Sequence, residues 1–243
     1  MVFQSIEETT LQLERHGYIS SQEIATVVFL AGAAGKPLLV EGPAGVGKTE
    51  LAKTVARALG RELIRLQCYE GIDEAKAIYE WEYAKQLLYT QMLKEKIHKI
   101  IANEDTLPAA VQKIAAQENA FFSENFIQPR PLLKAITAPE AVVLLIDEVD
   151  KSDPEFEAFL LELLSDFQLS IPELGTIKAR QIPFVVLTSN SSREMSDTLK
   201  RRCLYLYIDY PSLEREREIV ARKFPGIDER LTEKIVAVVT DIR

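Results

Sequence analysis

The octapeptide Gly42-Pro43-Ala44-Gly45-Val46-Gly47-Lys48-Thr49 lies between an apolar run, Leu38–Glu41, and a segment, Thr49–Leu59, in which Leu51, Val55 and Leu59 recur at helical spacing. It matches the spacing G-x-x-x-x-G-K-[ST], and the flanks supply the strand and the helix that this pattern requires. Few features constrain a fold more tightly, because the turn has to deliver a buried strand directly into a helix start. Glycines let main-chain N–H groups curl around phosphate oxygens, and the helix start adds about half a positive charge. Gly42 through Thr49 are therefore expected to cradle a nucleoside triphosphate, ATP with Mg²⁺. Lys48 would reach the β- and γ-phosphates, and the Thr49 hydroxyl would ligate the metal ion.

The rest of the chain repeats the strand-helix alternation. Glu62–Cys68, Ala141–Glu148, Ile182–Asn190 and Cys203–Asp209 read as further strands, and the second and third of these are continuous apolar runs suited to burial on both faces. Ser20 and Glu23 have capping-box spacing ahead of Ile24, Val27, Val28 and Ala31. Ser152, Asp153 and Pro154 open a helix through Phe167. Parallel neighbours need crossover helices, so the pattern predicts an α/β fold with a five-stranded parallel sheet flanked by helices. Residues 84–140 break the rhythm. They carry Lys94, Lys96 and Lys99, then Pro108, then Phe121, Phe122 and Phe126, and read as a helical insertion. Trp81, Tyr83, Leu87, Leu88 and Met92 form an apolar stripe, expected to be core, with a grip on a client or partner as the alternative. Leu213–Phe224 and Asp228–Ile242 read as two helices at the start of a helical lid that the chain enters without completing.

Three strand ends carry further chemistry. Asp147 and Glu148 close a buried strand at the carboxyl edge of the sheet, where α/β folds bind ligands. Asp147 would hold Mg²⁺ together with Thr49, and Glu148 would polarise the attacking water as general base. Asn190 ends the next strand and offers an amide that both donates and accepts, although Ser and Asn also end strands in ordinary turns. Arg201 and Arg202 end a short helix, Asp197–Arg202. On spacing alone they are cations that suit a helix C-terminus.

Composition narrows the classes. No apolar run approaches the ~20 residues that span a bilayer, so no membrane partner is expected and the reading is cytoplasmic. Cys68 and Cys203 are far apart in sequence and from His16 and His98, which suggests neither a disulfide framework nor a zinc site. A net charge of −8 is a poor match to binding along nucleic-acid phosphates.

The order of these motifs resembles AAA+ ATPases of the MoxR family. The segments Arg65-Leu66-Gln67-Cys68-Tyr69-Glu70-Gly71, Tyr79-Glu80-Trp81-Glu82-Tyr83, Ile171-Pro172-Glu173-Leu174-Gly175-Thr176 and Leu199–Tyr207 are similar to its CoxD-like branch. The resemblance covers most of residues 17–224 and is weakest across 84–140. It implies a P-loop NTPase of AAA+ type, with residues 1–210 as core, a helical insertion at about 70–140, and 211–243 as a partial lid. Asn190 would be sensor 1, standing over the γ-phosphate on a strand between those of the loop and the acids. Arg202, or alternatively Arg201, would be an arginine finger. Phe167–Gln181 would form a hairpin, and Tyr18 and Ile19 would flank adenine, although they also suit a hydrophobic staple. The implied activity is Mg²⁺-dependent ATP hydrolysis driving protein remodelling in a homo-oligomeric ring, with a hexamer as the expected size. A von Willebrand factor A partner and a metalloenzyme client are implied in turn. The alternatives are a nucleic-acid motor or clamp-loader-type ATPase, and a nucleotide-gated scaffold with little turnover. The second arginine expected on the lid, sensor 2, has no place before Arg243.

Overall fold

The computed structural model describes residues 3–92, 106, 127–171 and 175–242. The chain begins with a helix that composition alone does not announce, α1 (Ile6–Arg15). Ser5 has extended backbone and its Oγ accepts the Glu8 N–H, which satisfies one of the first-turn donors. The next helix, α2 (Gln22–Ala34), is capped by Ser21, which accepts from the Ile24 N–H, and not by Ser20 as the Ser20–Glu23 spacing suggests. The cap belongs to the residue whose extended backbone aims its hydroxyl at the third helical N–H, and that is Ser21. Gly35, in the left-handed region, ends α2.

Five strands follow in parallel: β1 (Leu38–Glu41), β2 (Leu63–Gln67), β5 (Val143–Asp147), β8 (Phe184–Ser189) and β9 (Leu204–Tyr207), ordered β2-β5-β8-β1-β9. The five-stranded α/β sheet expected from the alternation is present; the first strand has the expected bounds and the other four are shorter at both ends. β1, β5 and β8 are buried at every position. Both faces of the sheet are covered. Leu38, Val40, Val143, Leu145 and Val186 meet α1, α2 and α3 (Lys48–Leu59) on one side. Ile64, Leu66, Leu144, Ile146 and Leu187 meet α6 (Pro131–Thr137) and α7 (Pro154–Asp166) on the other. In α7, Asp153 accepts the Phe156 N–H and Pro154 occupies the first turn, as their order predicts. Its end is set by Phe167, held at φ +49 by the hairpin β6 (Gln168–Ile171) and β7 (Gly175–Lys178) that starts there.

Between β2 and β5 lie α4 (Glu74–Ile78), β3 (Tyr79–Trp81), α5 (Tyr83–Met92) and β4 (Ile127–Pro129), with β3 and β4 antiparallel. Two expectations for this region need correction. The departure from the core does not run to residue 140, because α6 buries Leu132, Leu133, Ala135 and Ile136 against the sheet. The stripe on α5 is not core: Tyr83, Leu87, Leu88 and Met92 are exposed, and Trp81 alone of the five packs against the main cluster. Helical spacing identifies a stripe but not what faces it. Lys94, Lys96, Lys99, Pro108, Phe121, Phe122, Phe126 and residues 172–174 lie outside the described residues. After β9, α9 (Leu213–Lys223) and α10 (Glu229–Ile242) pack on each other, with Ser212 capping α9. Among the described residues no helix is long and apolar enough to cross a membrane.

Candidate functional site

The loop Gly42–Thr49 leaves β1 at the carboxyl edge of the sheet and enters α3. Gly42 has φ +149, and a Cβ built on it would stand 1.9 Å from the Ile208 carbonyl oxygen. That carbonyl is fixed, because the Ile208 N–H donates to the Glu41 carbonyl at 2.8 Å. Gly45 and Gly47 have φ +86 and +96, a region that side chains rarely adopt. Gly47 caps α3 without any side-chain bond, so the first-turn N–H groups are left for an anion. Lys48 is buried, and its Nζ donates to the Gly42 and Pro43 carbonyls at 2.6 and 2.7 Å, which folds the lysine back over the loop. Burial pushes the Lys48 ammonium below the ordinary lysine value, partly offset by Asp150, Asp147 and Glu148.

Asp147 sits two strands away, on β5, and its carboxylate is almost fully enclosed. Thr49 Oγ1 donates to Asp147 Oδ1 at 2.9 Å, and Thr188 Oγ1 donates to the same oxygen at 2.5 Å. Arg65, from β2, donates to Oδ2 through Nε at 2.9 Å and Nη2 at 2.5 Å. Two hard oxygen ligands, the Thr49 hydroxyl and the Asp147 carboxylate, are thus already adjacent. This suits Mg²⁺, which takes one or two protein oxygens and completes its shell with phosphate and water. Glu148 stands next to Asp147 with φ +56, a conformation costly for a residue with a side chain. Its N–H donates to Thr188 Oγ1 at 2.9 Å, so a single threonine fixes both acids. The Glu148 carboxylate accepts from Gln67 Nε2 at 3.0 Å and pairs with Lys151 Nζ at 2.5 Å.

Asn190 follows Ser189, which is in register with Glu41, so it emerges beside the start of the loop. Its strand, β8, lies between β5 and β1, the order that the resemblance implies. Arg201 and Arg202 are elsewhere. They precede β9, which starts alongside Leu38, at the amino edge of the sheet. Four residues of strand, about 13 Å, separate that edge from the loop, so neither arginine serves the phosphate site of its own chain. Arg202 is engaged, donating to Ser165 Oγ at 2.5 Å and to the Thr198 carbonyl at 2.8 Å. Arg201 caps the short helix α8 (Asp197–Lys200), and among the described residues its exposed guanidinium has no hydrogen bond or ion pair. Of the two, it is Arg201 that is available to a neighbour.

A cavity of about 740 Å³ opens from the loop and is lined by Gly45, Gly47, Tyr18, Ile19, Tyr207 and Arg215, among others. Tyr18 and Ile19 therefore line the cavity beside the loop. The Tyr18 ring packs against Gly47, and burial pushes its phenol up to about 12, with Arg215 pulling it down and Glu50 raising it. Sequence reasoning missed Arg65, Gln67, Thr188 and Arg215. The first two were visible as polar residues alternating with Ile64, Leu66 and Cys68 on a strand beside the acids. Thr188 and Arg215 needed the strand register and the packing of the helix Leu213–Lys223, which no local signal gives.

Comparison with known proteins agrees with this geometry. The profile of the AAA domain (dynein-related subfamily) matches residues 37–203, well over half of the chain. The gas vesicle ATPase GvpN of Haloferax mediterranei is 26% identical over 220 residues, covering 86% of this chain and 57% of that protein. Protein NorQ of Paracoccus denitrificans is 24% identical over 233 residues, covering 93% and 72%. The chaperone protein ClpB of Vibrio vulnificus is 26% identical over 199 residues, covering 80% and 18%. The chain spans little more than half the length of the gas vesicle relatives it matches. The loop, the acid pair on the strand two away and the polar strand end between them all lie within the matched residues. The chain belongs to the AAA domain family, dynein-related subfamily.

Proposed function

We propose that the chain hydrolyses ATP with Mg²⁺ at Gly42–Thr49, Asp147 and Glu148, in a ring whose neighbouring copy completes the site, and that it uses the cycle to remodel a protein. The observation that carries this reading is the Thr49–Asp147 pair at 2.9 Å beneath a loop whose lysine is buried. In the reaction, the main-chain N–H groups of the loop hold the β- and γ-phosphates, and Lys48 leaves the Gly42 and Pro43 carbonyls for phosphate oxygens. Thr49 and Asp147 would hold Mg²⁺, which supplies charge neutralisation for the triphosphate when bound. Glu148 takes a proton from the lytic water while Asn190 orients it. The water oxygen bonds to the γ-phosphorus as the bond to the β,γ-bridging oxygen breaks, giving ADP and phosphate. Glu148 first has to leave Gln67 and Lys151, so the resting site holds its base back. Arg201 of a neighbouring copy would neutralise the charge that develops on the γ-phosphoryl oxygens.

Residues 211–243 would then be the start of a lid over the cavity, and 1–210 the core. A chaperone-type role accords with the name of the ClpB relative, and the CoxD-like segments favour a metalloenzyme as client with a von Willebrand factor A protein as partner. Glu148→Gln tests the chemistry. It should keep ATP bound and reduce phosphate release by about 100-fold or more. Unchanged release would remove Glu148 as base.

A further inference from the structure

Two neighbouring strands leave the sheet through turns of the same kind. Glu148 follows β5 at φ +56, and Ser191, directly after Asn190, follows β8 at φ +59. Neither is glycine, and residues with a side chain keep that conformation only where their surroundings hold it.

Here the two turns hold each other. Asp150, two residues beyond Glu148, is 3% exposed, and its Oδ2 accepts the Ser192 main-chain N–H at 3.1 Å and the Ser192 hydroxyl at 2.6 Å. Ser192 is two residues beyond Asn190, and Ser189 Oγ accepts the Ser191 N–H at 3.0 Å to complete the bend. A second brace follows at once. Arg193 donates to the Ser152 carbonyl at 2.8 Å and pairs with Glu157, whose Oε2 accepts the Ser196 N–H at 3.1 Å. Arg193 thus ties the loop to the first turn of α7, and Asp150 ties it to the turn that bears Glu148.

Asp150 also belongs to the electrostatics of the phosphate site. Burial lowers the Lys48 ammonium, and the largest opposing influence is Asp150, ahead of Asp147 and Glu148. Burial would raise the Asp150 carboxyl, but the Ser192 hydroxyl and N–H, together with the Asn190 main-chain N–H, outweigh it and hold it below the ordinary carboxylate range. The acceptor for Ser192 is therefore charged at neutral pH, and bonds to a charged acceptor are the stronger kind.

We propose that Asp150 is a positioning residue for hydrolysis: through Ser192 it fixes the loop on which Asn190 stands, and so sets the Asn190 amide against the Glu148 carboxylate. The proposal rests on the roles given above to Asn190 and Glu148. Without the clasp, Ser191 relaxes out of the left-handed region and Asn190 swings with it. Thr49 and Asp147 keep their own bonds, as does Lys48. Nucleotide binding then survives where turnover fails.

The test is steady-state ATP hydrolysis with Mg²⁺, paired with calorimetric ATP binding, on the full chain. Ser192→Ala is the leading variant, because Ser192 is exposed and its change leaves the Asp150 charge beside Lys48 in place. It should lower kcat by about 10-fold, the lower end for one hydrogen bond to a charged group, with KM and the ATP dissociation constant within about 2-fold of the parent. Ser192→Thr keeps the hydroxyl and should restore kcat to within about 2-fold. Asp150→Ala removes both bonds and should lower kcat by about 100-fold, the loss that a misplacement on the order of 1 Å produces. In an Asn190→Ala background, Ser192→Ala and Asp150→Ala should each cost no more than about 2-fold further, since the group they position is gone. An unchanged kcat in Ser192→Ala, or the same loss with and without Asn190, would overturn the proposal. A fall in ATP binding that matches the fall in kcat would also overturn it, by making the clasp merely structural. An unchanged kcat in Asn190→Ala alone would instead overturn the role of Asn190 on which the proposal rests.

Discussion

Gly42→Ala should be the most damaging single methyl group in the phosphate loop. A Cβ at Gly42 stands 1.9 Å from the Ile208 carbonyl oxygen, so it has to retreat by at least about 1 Å to reach a tolerable contact. The carbonyl cannot simply yield, because the same residue donates to Glu41 at 2.8 Å and ties β9 to β1. Losing that bond costs about 0.5–1.5 kcal/mol. The left-handed φ of +149 adds about 1–2 kcal/mol for any residue with a side chain. The sum, about 1.5–3.5 kcal/mol, corresponds to a fall in Tm of roughly 3–14 °C for a chain of this size. Gly45→Ala is the control: φ is +86 but nothing lies within 4 Å, so the conformational term acts alone. Thermal unfolding by circular dichroism, followed for both variants in the same buffer, gives the comparison. Equal melting temperatures for Gly42→Ala and Gly45→Ala would show that the Ile208 contact does not constrain the loop.

Arg65→Met should expose how the Asp147 carboxylate is compensated without metal. It leaves Thr49 and Thr188 as donors to a carboxylate with 2% side-chain exposure, and stability should fall by about 1–3 kcal/mol in chelator. Addition of Mg²⁺ with nucleotide should recover more stability in this variant than in the parent, measured by the shift in Tm. The two adjacent arginines should separate in a turnover assay on the assembled ring. Arg201→Ala is expected to lose about 10³-fold in hydrolysis with ATP binding retained, and Arg202→Ala to lose less, since Arg202 is occupied by Ser165 and Thr198. Equal losses would mean that the two act as a unit.

Much of this architecture was legible because local rules and the global fold agree. Leu38–Glu41, the glycines and the Thr49–Leu59 periodicity all predict one strand-loop-helix unit, and no tertiary contact competes with it. The acid pair could be read because a continuous apolar run ending in two carboxylates has few uses in a buried strand. What failed has a common cause. Ser20 against Ser21 is a choice between adjacent hydroxyls that only the backbone angle decides. Leu132, Leu133 and Ile136 sit beyond a polar stretch, so their helix read as part of an insertion although it covers the sheet. Which of Arg201 and Arg202 is engaged within the chain is likewise invisible locally, because the Arg202 partner, Ser165, is far away in sequence. Thr188 read as part of a strand end, yet it holds Asp147 and the Glu148 N–H together once β8 lies beside β5.

The central claim is that Gly42–Thr49 binds a triphosphate through Lys48 and the helix start. Titration calorimetry of ATP with Mg²⁺ into the parent chain and Lys48→Ala addresses it directly. A charge-assisted contact is worth about 1.5–3 kcal/mol, so Lys48→Ala should weaken binding by roughly 10- to 150-fold, with the variant still folded. Equal affinity in the two proteins would contradict the account.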